Sequence, residues 1–486
     1  MLQGARVWQV AARYNEVFAI TTYRSTYRST YGVLMSSLQF TEISPQDLDS
    51  FSASLPQGNF QQTSQMAAMR KFEGTQVEIL AAKREGTVVA ACILETYHSL
   101  LSTFSVVHNG PLLDYHDEEL VTFFFTQLQQ RARKNGASQL EIIPETIYNL
   151  HNSDGSLMGD GFPAAGHDSG DDVPAASHDA GDGSSRPAIS PVAFAREPEI
   201  ATLEKLGFKH SGFTVGYTTI PRWRYLKDLS TIADEKALLA SYSKNTRRNV
   251  KIAANSGVTV RAIGRDELPI FHHLCELSCE KQGFDNRPLE YFQALYDNFG
   301  DKAQFMLATL DLKYYLEQWE AKKQKAEAEI ARLQASLATS RYPQSVHKNI
   351  ATAQQTLTAC ENRIARAHEY IEQDGTTVDI SAAMFVWHPR QAFYLFSGSD
   401  EKYAKFYGPT ALQHWVMTES LKRGLRSYNF YGIDGVFDDP NSQGHGVLEF
   451  KQGFQGYVAE MTGQFSVVLK PVTYAMKQIA HHLLGR

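Results

Sequence analysis

A chain of 486 residues with 43% hydrophobic side chains is larger than one ordinary core accommodates, so two or three packed domains are expected. A net charge of −6 excludes a protein that coats nucleic acid indiscriminately, because such proteins carry a strong basic excess, although a local basic patch remains compatible with it. No run of about 18 uncharged apolar residues occurs, and Arg6, Arg13 and Glu16 interrupt the opening residues, so neither a membrane-spanning helix nor a signal peptide is expected and a cytoplasmic location follows.

Residues 1–34 contain a near repeat of Tyr-Arg-Ser-Thr at 23–30 and read as an extension outside the folded protein, with Met35 the expected start. A strand is predicted over 38–43, and the apolar runs 77–81 and 88–94 around the polar turn Lys83-Arg84-Glu85-Gly86 predict a hairpin. Helical periodicity follows over 118–132, then a strand-like run at 139–144. Strands thus alternate with helices, which predicts an α/β or α+β class.

From 153 to 191 the composition shifts to Gly, Asp, Ser, Pro and Ala, which cannot bury enough apolar area to offset the entropy of ordering, so a flexible loop is predicted. Its pairs His167-Asp168 and His178-Asp179 are poor candidates for metal ligands. The four cysteines, Cys92, Cys275, Cys279 and Cys360, form no C-x-x-C pair and read as reduced packing residues, so no metal site is expected.

Leu316, Trp319, Lys323, Ala326, Ile330, Leu333 and Leu337 keep a 3,4 spacing, and after Tyr342-Pro343 the pattern resumes at Val346, Ile350, Ala353, Leu357, Cys360, Ile364, Ala367 and Ile371. An antiparallel coiled-coil hairpin over 312–374 is predicted, with a charged exterior that either solvates it or grips tRNA. Strand patterns resume at 378–386 and 392–396, so the hairpin is inserted within a domain.

The last third of the chain carries Tyr394-Leu395-Phe396-Ser397-Gly398-Ser399, then Tyr403 and a helix predicted over 410–423, then Tyr428-Asn429-Phe430-Tyr431-Gly432 and Phe450-Lys451-Gln452-Gly453-Phe454. Aromatic core strands separated by Gly turns explain part of this pattern, with Lys451 a strand lysine. Lys244, Arg247, Arg248 and Lys251 form a basic run suited to a bidentate grip on phosphate.

In order and spacing these segments resemble the Fem-type (FemABX) peptidoglycan bridge-forming transferases, and the likeness extends over nearly the whole chain from Met35, through Asn59-Phe60-Gln61-Gln62-Thr63 and Asn109-Gly110-Pro111-Leu112-Leu113-Asp114. The inserted hairpin is similar to that of the longer, coiled-coil-bearing members. The resemblance implies two tandem acetyltransferase-like (GNAT-like) domains: 35–235 for the first, 236–311 with 375–470 for the second, and a C-terminal helix at 471–486 packing back on the first.

It also implies transfer of an amino acid from aminoacyl-tRNA to an amine of a peptidoglycan precursor, either lipid II or UDP-MurNAc-pentapeptide, with no cofactor because the ester is already activated. Glycine, alanine and serine all remain open as the transferred residue. Lys451, with the Phe450 backbone beside it, would contact the oxyanion or the tRNA end, and Asp114 would position or deprotonate the amine, unless it is a plain turn residue. Arg247 and Arg248 would take the precursor diphosphate. Arg70, standing where relatives carry a lysine, is a weaker phosphate candidate, and Tyr394, Tyr403, Tyr428 and Tyr431 are candidate groove donors. A homo-oligomer or a related Fem-type partner, and peripheral membrane association through a lipid-linked substrate, are further expectations.

Two other readings stay open: an acyl-CoA N-acyltransferase, for which no Arg/Gln-x-x-Gly-x-Gly/Ala loop is found, and a non-catalytic scaffold using the coiled coil as its arm.

Overall fold

The computed structural model describes residues 38–99, 102–158, 197–283 and 285–474. The expected extension at 1–34, the two His-Asp pairs with most of their loop, and all but the first turn of the expected C-terminal helix lie outside the described residues.

In chain order the strands are β1 Leu38–Glu42, β2 Gln76–Arg84, β3 Thr87–His98, β4 Thr103–Val107, β5 Leu112–Leu113, β6 Gln139–Ile142, β7 Ile147–Asn152, β8 Lys209–His210, β9 Trp223–Asp228, β10 Val258–Ala262, β11 Ala303–Asp311, β12 Thr377–Trp387, β13 Ala392–Ser399, β14 Ser427–Ile433, β15 Tyr457–Met461 and β16 Phe465–Val468. The helices are α1 Pro45–Ser54, α2 Ser64–Phe72, α3 Glu118–Lys134, α4 Glu197–Lys205, α5 Glu235–Ala240, α6 Lys244–Asn255, α7 Leu268–Gln282, α8 Leu289–Phe299, α9 Leu312–Leu337, α10 Pro343–Asp374, α11 Gly408–Lys422 and α12 His445–Gln452.

The expected α/β class takes the form of two mixed sheets. One runs β1-β2-β3-β4-β6-β16-β8 with β5 on β3, and the other runs β10-β11-β12-β13-β14-β9-β15-β7. Most pairs are antiparallel, and β4–β6 and β13–β14 are parallel. The central strands β3 and β12 are apolar on both faces, as strands covered by helices on either side must be. Phe124 and Leu128 of α3 cover one face of the first sheet, and Leu48 of α1 with Ala67 of α2 cover the other. In the second sheet, Val416 and Met417 of α11 lie on one face, and Phe271 of α7 with Phe292 of α8 on the other.

The two lobes share α2. Its Ala67 belongs to the first core, while Met66 and Met69 belong to the second, so a single short helix is apolar around much of its circumference. Arg390 adds a polar tie, its Nε donating to the Ala53 carbonyl at 2.9 Å.

Sheet membership does not follow the division expected at residue 235. Strands β7 and β9, from the N-terminal side of that point, hydrogen-bond β15 in the second sheet, while β16 near the C-terminus pairs with β6 and β8 in the first. The physical reason is that an open strand edge must find its partners wherever the chain supplies them.

Helices α9 and α10 form the hairpin. Asp311 caps α9 by accepting the Tyr314 amide at 2.8 Å, and Pro343 occupies the first position of α10, where its missing N–H costs nothing. Arg363 approaches Tyr315 and Trp319, and Lys323 lies 3.7 Å from Glu361, which fixes the antiparallel register. The heptad residues are those turned inward: Ala326, Leu333, Ile350, Cys360 and Ala367 are buried. All four cysteines are free and buried.

One element departs from expectation. Residues 445–452 are helical rather than extended, with Leu448 and Lys451, three apart, on the buried face. A segment bounded by Gly444 and Gly453 was read through its aromatic flanks, whereas the period that governs it is that of a helix turn.

Candidate active site

Lys451 sits on the last turn of α12 with 4% of its surface exposed, and its Nζ donates to the Gly432 carbonyl at 2.6 Å. The expected solvated strand lysine is therefore a buried helix lysine. Burial draws its pKa down to about 7, because removing an ammonium from water disfavours the charged form. At neutral pH both protonation states of this amine are populated.

The acceptor strand is shaped for close contact. Gly432 lies on β14, and a Cβ there would fall 2.8 Å from Pro221 Cγ, so only glycine lets the backbone pass. Tyr431 before it adopts φ +63°, a left-handed conformation uncommon for a bulky residue and characteristic of functional sites.

Phe450, the neighbour of Lys451, is half-buried and faces a cavity of about 570 Å³ walled by Thr246 and Asn249 of α6, Tyr403 and Tyr407, and Glu449 and Phe450 of α12. Lys451 itself is not among the residues that line it. Its ammonium points to the β14 side, one helix position away. Tyr403 is buried, and its hydroxyl donates to Asp374 at the end of the hairpin helix α10, which raises the phenol pKa along with burial.

The other expected residues are dispersed. Asp114 is exposed directly after β5 and accepts the His116 amide at 2.9 Å, so its observed contact is that of a turn residue. Arg247 is half-buried and donates to the Ala240 carbonyl at 3.2 Å, whereas Arg248 is exposed on the next position of α6. Tyr428 is fully buried and donates to Gln413 at 2.6 Å, which makes it a core residue rather than a groove donor. Tyr394 is half-buried, its hydroxyl donating to Ser397, and burial pushes its pKa up to about 12.

Arg70 belongs to a buried charge network. Its Nε lies 3.2 Å from Glu95 Oε2, which also accepts from Tyr97 at 2.6 Å, and His108 Nδ1 stands 2.9 Å from Oε1. Burial alone would raise the Glu95 carboxyl, but His108, Arg70 and Tyr97 together hold it below the ordinary carboxylate value. Next to it, Arg224 is buried and bonded to Glu145, with its guanidinium 5.8 Å from the Tyr431 ring. A third group joins Arg222, Glu460 and His151. Apart from Arg70, sequence reading passed over these residues. The available signal was a charge inside an apolar strand run, as at Leu94-Glu95-Thr96, Trp223-Arg224-Tyr225 and Ala459-Glu460-Met461.

Two mixed sheets sharing a helix, with a buried lysine next in sequence to the wall of a cavity, define a two-lobed α/β protein. The FemAB family model matches residues 43–165 and 191–482, and the chain belongs to this family. Curated relatives named "Aminoacyltransferase FemA" include one from Staphylococcus epidermidis, 26% identical over 447 residues covering 91% of this chain and 98% of the relative. Another, from Staphylococcus aureus, is 26% identical over 446 residues covering 90% and 97%. Among solved structures, FemX superposes with a TM-score of 0.67 at 22% identity, covering 90% of this chain and all of that one, which establishes the shared fold.

Proposed function

We propose that this protein is an aminoacyltransferase that moves an amino acid of the glycine, alanine or serine class from aminoacyl-tRNA to the stem-peptide or cross-bridge amine of a peptidoglycan precursor. The observation that carries the reading is Lys451, a buried lysine with no carboxylate partner among the described residues, next to Phe450 at the wall of a large cavity. Family membership and relatives named as aminoacyltransferases support it.

In the reaction the acceptor nitrogen bonds to the ester carbonyl carbon, the bond from that carbon to the tRNA ribose oxygen breaks, and the proton lost by the amine ends on the ribose hydroxyl. An ester is already activated, so the demand on the protein is to position the reactants and stabilise the charge on the carbonyl oxygen. Lys451 in its ammonium form supplies that charge, the Phe450 backbone lies beside it, and Arg247, Arg248 and Arg70 are proposed for the phosphates of the two substrates. Asp114 is retained as the candidate amine contact, with Tyr394, Tyr403 and Tyr431 as groove residues. Among the described residues no helix is long and apolar enough to cross a membrane. Work at the cytoplasmic face on a lipid-linked precursor is part of the proposal.

The test is transfer from charged tRNA to lipid-linked and nucleotide-linked precursors by the purified protein, compared with Lys451→Ala and Lys451→Arg. Loss of about 10²–10³-fold is expected for the alanine variant. The wild type should lose rate above about pH 7 as Lys451 deprotonates, and Lys451→Arg should lack that descending limb because a guanidinium stays charged. Turnover of acyl-CoA in place of charged tRNA would overturn the reading.

A further inference from the structure

The loop that leaves β14 closes on itself before α12 begins. Asp434, directly after the strand, is 5% exposed, and its Oδ1 accepts the Val436 amide at 3.1 Å. Its carboxylate lies against Gly444, the residue before α12, where a Cβ would run into Oδ2. Gly444 has φ −85°, which any residue adopts, so the glycine is required by this contact and not by its backbone. Among the described residues no lysine, arginine or histidine pairs with Asp434. A carboxylate at the start of a helix is favoured by the partial positive charge of the opening amides.

Helix α12 is thus held on β14 at both ends. Asp434 meets its start, and on its last turn Lys451 Nζ donates to the Gly432 carbonyl at 2.6 Å, two residues before Asp434. Leu448, between the two contacts, is 2% exposed. A helix this short has little stability of its own, so where it starts decides where its last turn lies. Burial is what draws the Lys451 pKa down to about 7, with no titratable group set against it, so the state of the lysine follows from how closely the helix is seated. On the Asp434 side a titratable neighbour is Tyr217, whose phenol burial and this carboxylate push up to about 12.

We propose that Asp434 is a positioning residue for Lys451: by holding the start of α12 on the end of β14, it keeps the lysine seated against the Gly432 carbonyl. The role deepens the function proposed above and rests on Lys451 serving the transfer. Asp434 acts through the helix and not on the reactants. Its loss has opposite effects by two routes. A carboxylate acting through its field favours the ammonium, so removing it lowers the lysine pKa further. A carboxylate that seats the helix keeps water out, so removing it admits water and the pKa climbs toward 10.5.

The test reads the lysine itself and needs no substrate. The Cε signal of Lys451 in carbon NMR of the full chain, identified by its loss in Lys451→Met, is followed against pH. In Asp434→Ala the midpoint is expected to climb from about 7 to about 8 or above. Asp434→Asn, which keeps the shape and the acceptor for the Val436 amide, should climb less. Gly444→Ala reaches the same contact from the helix side and should climb too, which keeps the test decisive if Asp434→Ala does not fold. A midpoint that stays or falls in the alanine variants, or that climbs further in Asp434→Asn than in Asp434→Ala, would overturn the role. In the transfer assay the descending limb should move to higher pH with the midpoint. A wild type that transfers nothing, with the climb in the NMR midpoint intact, would instead count against the proposed reaction and leave the positioning role standing.

Discussion

Lys451 is held where water scarcely reaches, and the protein bears a cost for that. Folding lowers its pKa from 10.5 to about 7, so between those values the unfolded chain binds more protons than the native one and stability rises with pH. Lys451→Met should therefore be more stable than the wild type at pH 7, on the order of 2 kcal/mol, with the gap closing toward pH 10 and activity lost throughout. Urea unfolding at pH 7 and pH 9.5 checks this, and equal gaps at both would contradict it. Glu95 works in the opposite sense. Its carboxylate is surrounded by donors, and Glu95→Leu leaves Arg70 with Glu73 as its one carboxylate and strips Tyr97 and His108 of their acceptor, for an expected loss of about 1–3 kcal/mol in the same assay. The motif around Lys451 was legible in the sequence, but its burial was not, because burial depends on β14 arriving from another part of the chain. The same limit hid Glu95, Arg224 and Glu460, whose partners lie in other strands, and it let Tyr428 pass for a groove residue.

At the level of elements, the hairpin was read almost residue by residue, since a helix pair packs through a periodic local pattern. Its buried positions Ala326, Leu333, Ile350, Cys360 and Ala367 are those of the heptads, and Lys323, the break in the pattern, is satisfied by Glu361 across the pair. Cys360→Asp would set a charge at a fully buried position between the helices. Trypsin should then cut first within 312–374, while the sheets stay intact as judged by the fragments on a denaturing gel. A digestion pattern unchanged from the wild type would show that the helices do not depend on this contact. Helix α12 was misread for the converse reason: eight residues between glycines offer little more than two turns, too short for periodicity to outweigh aromatic neighbours.

Across the whole molecule, the strand alternation predicted the α/β class, and the strand exchange was beyond reach of local patterns. Because β7 and β9 lie in one sheet and β16 in the other, with α2 apolar toward both, the lobes are not independent folding units. Calorimetry should give one endotherm for the entire protein, where two-lobed chains joined only by a linker commonly give two. Separate melting of the lobes would show that the shared elements couple them weakly.

The position of β16 also bears on how the protein is born. In the first sheet it lies between β6 and β8, yet it is made more than three hundred residues after β6 by the count from Ile142 to Phe465. As the ribosome releases the chain from its N-terminus, the earlier lobe must wait with that slot vacant until β16 at Phe465–Val468 has been made. A stop codon anywhere before residue 465 therefore yields a product whose first sheet lacks the strand that joins β6 to β8.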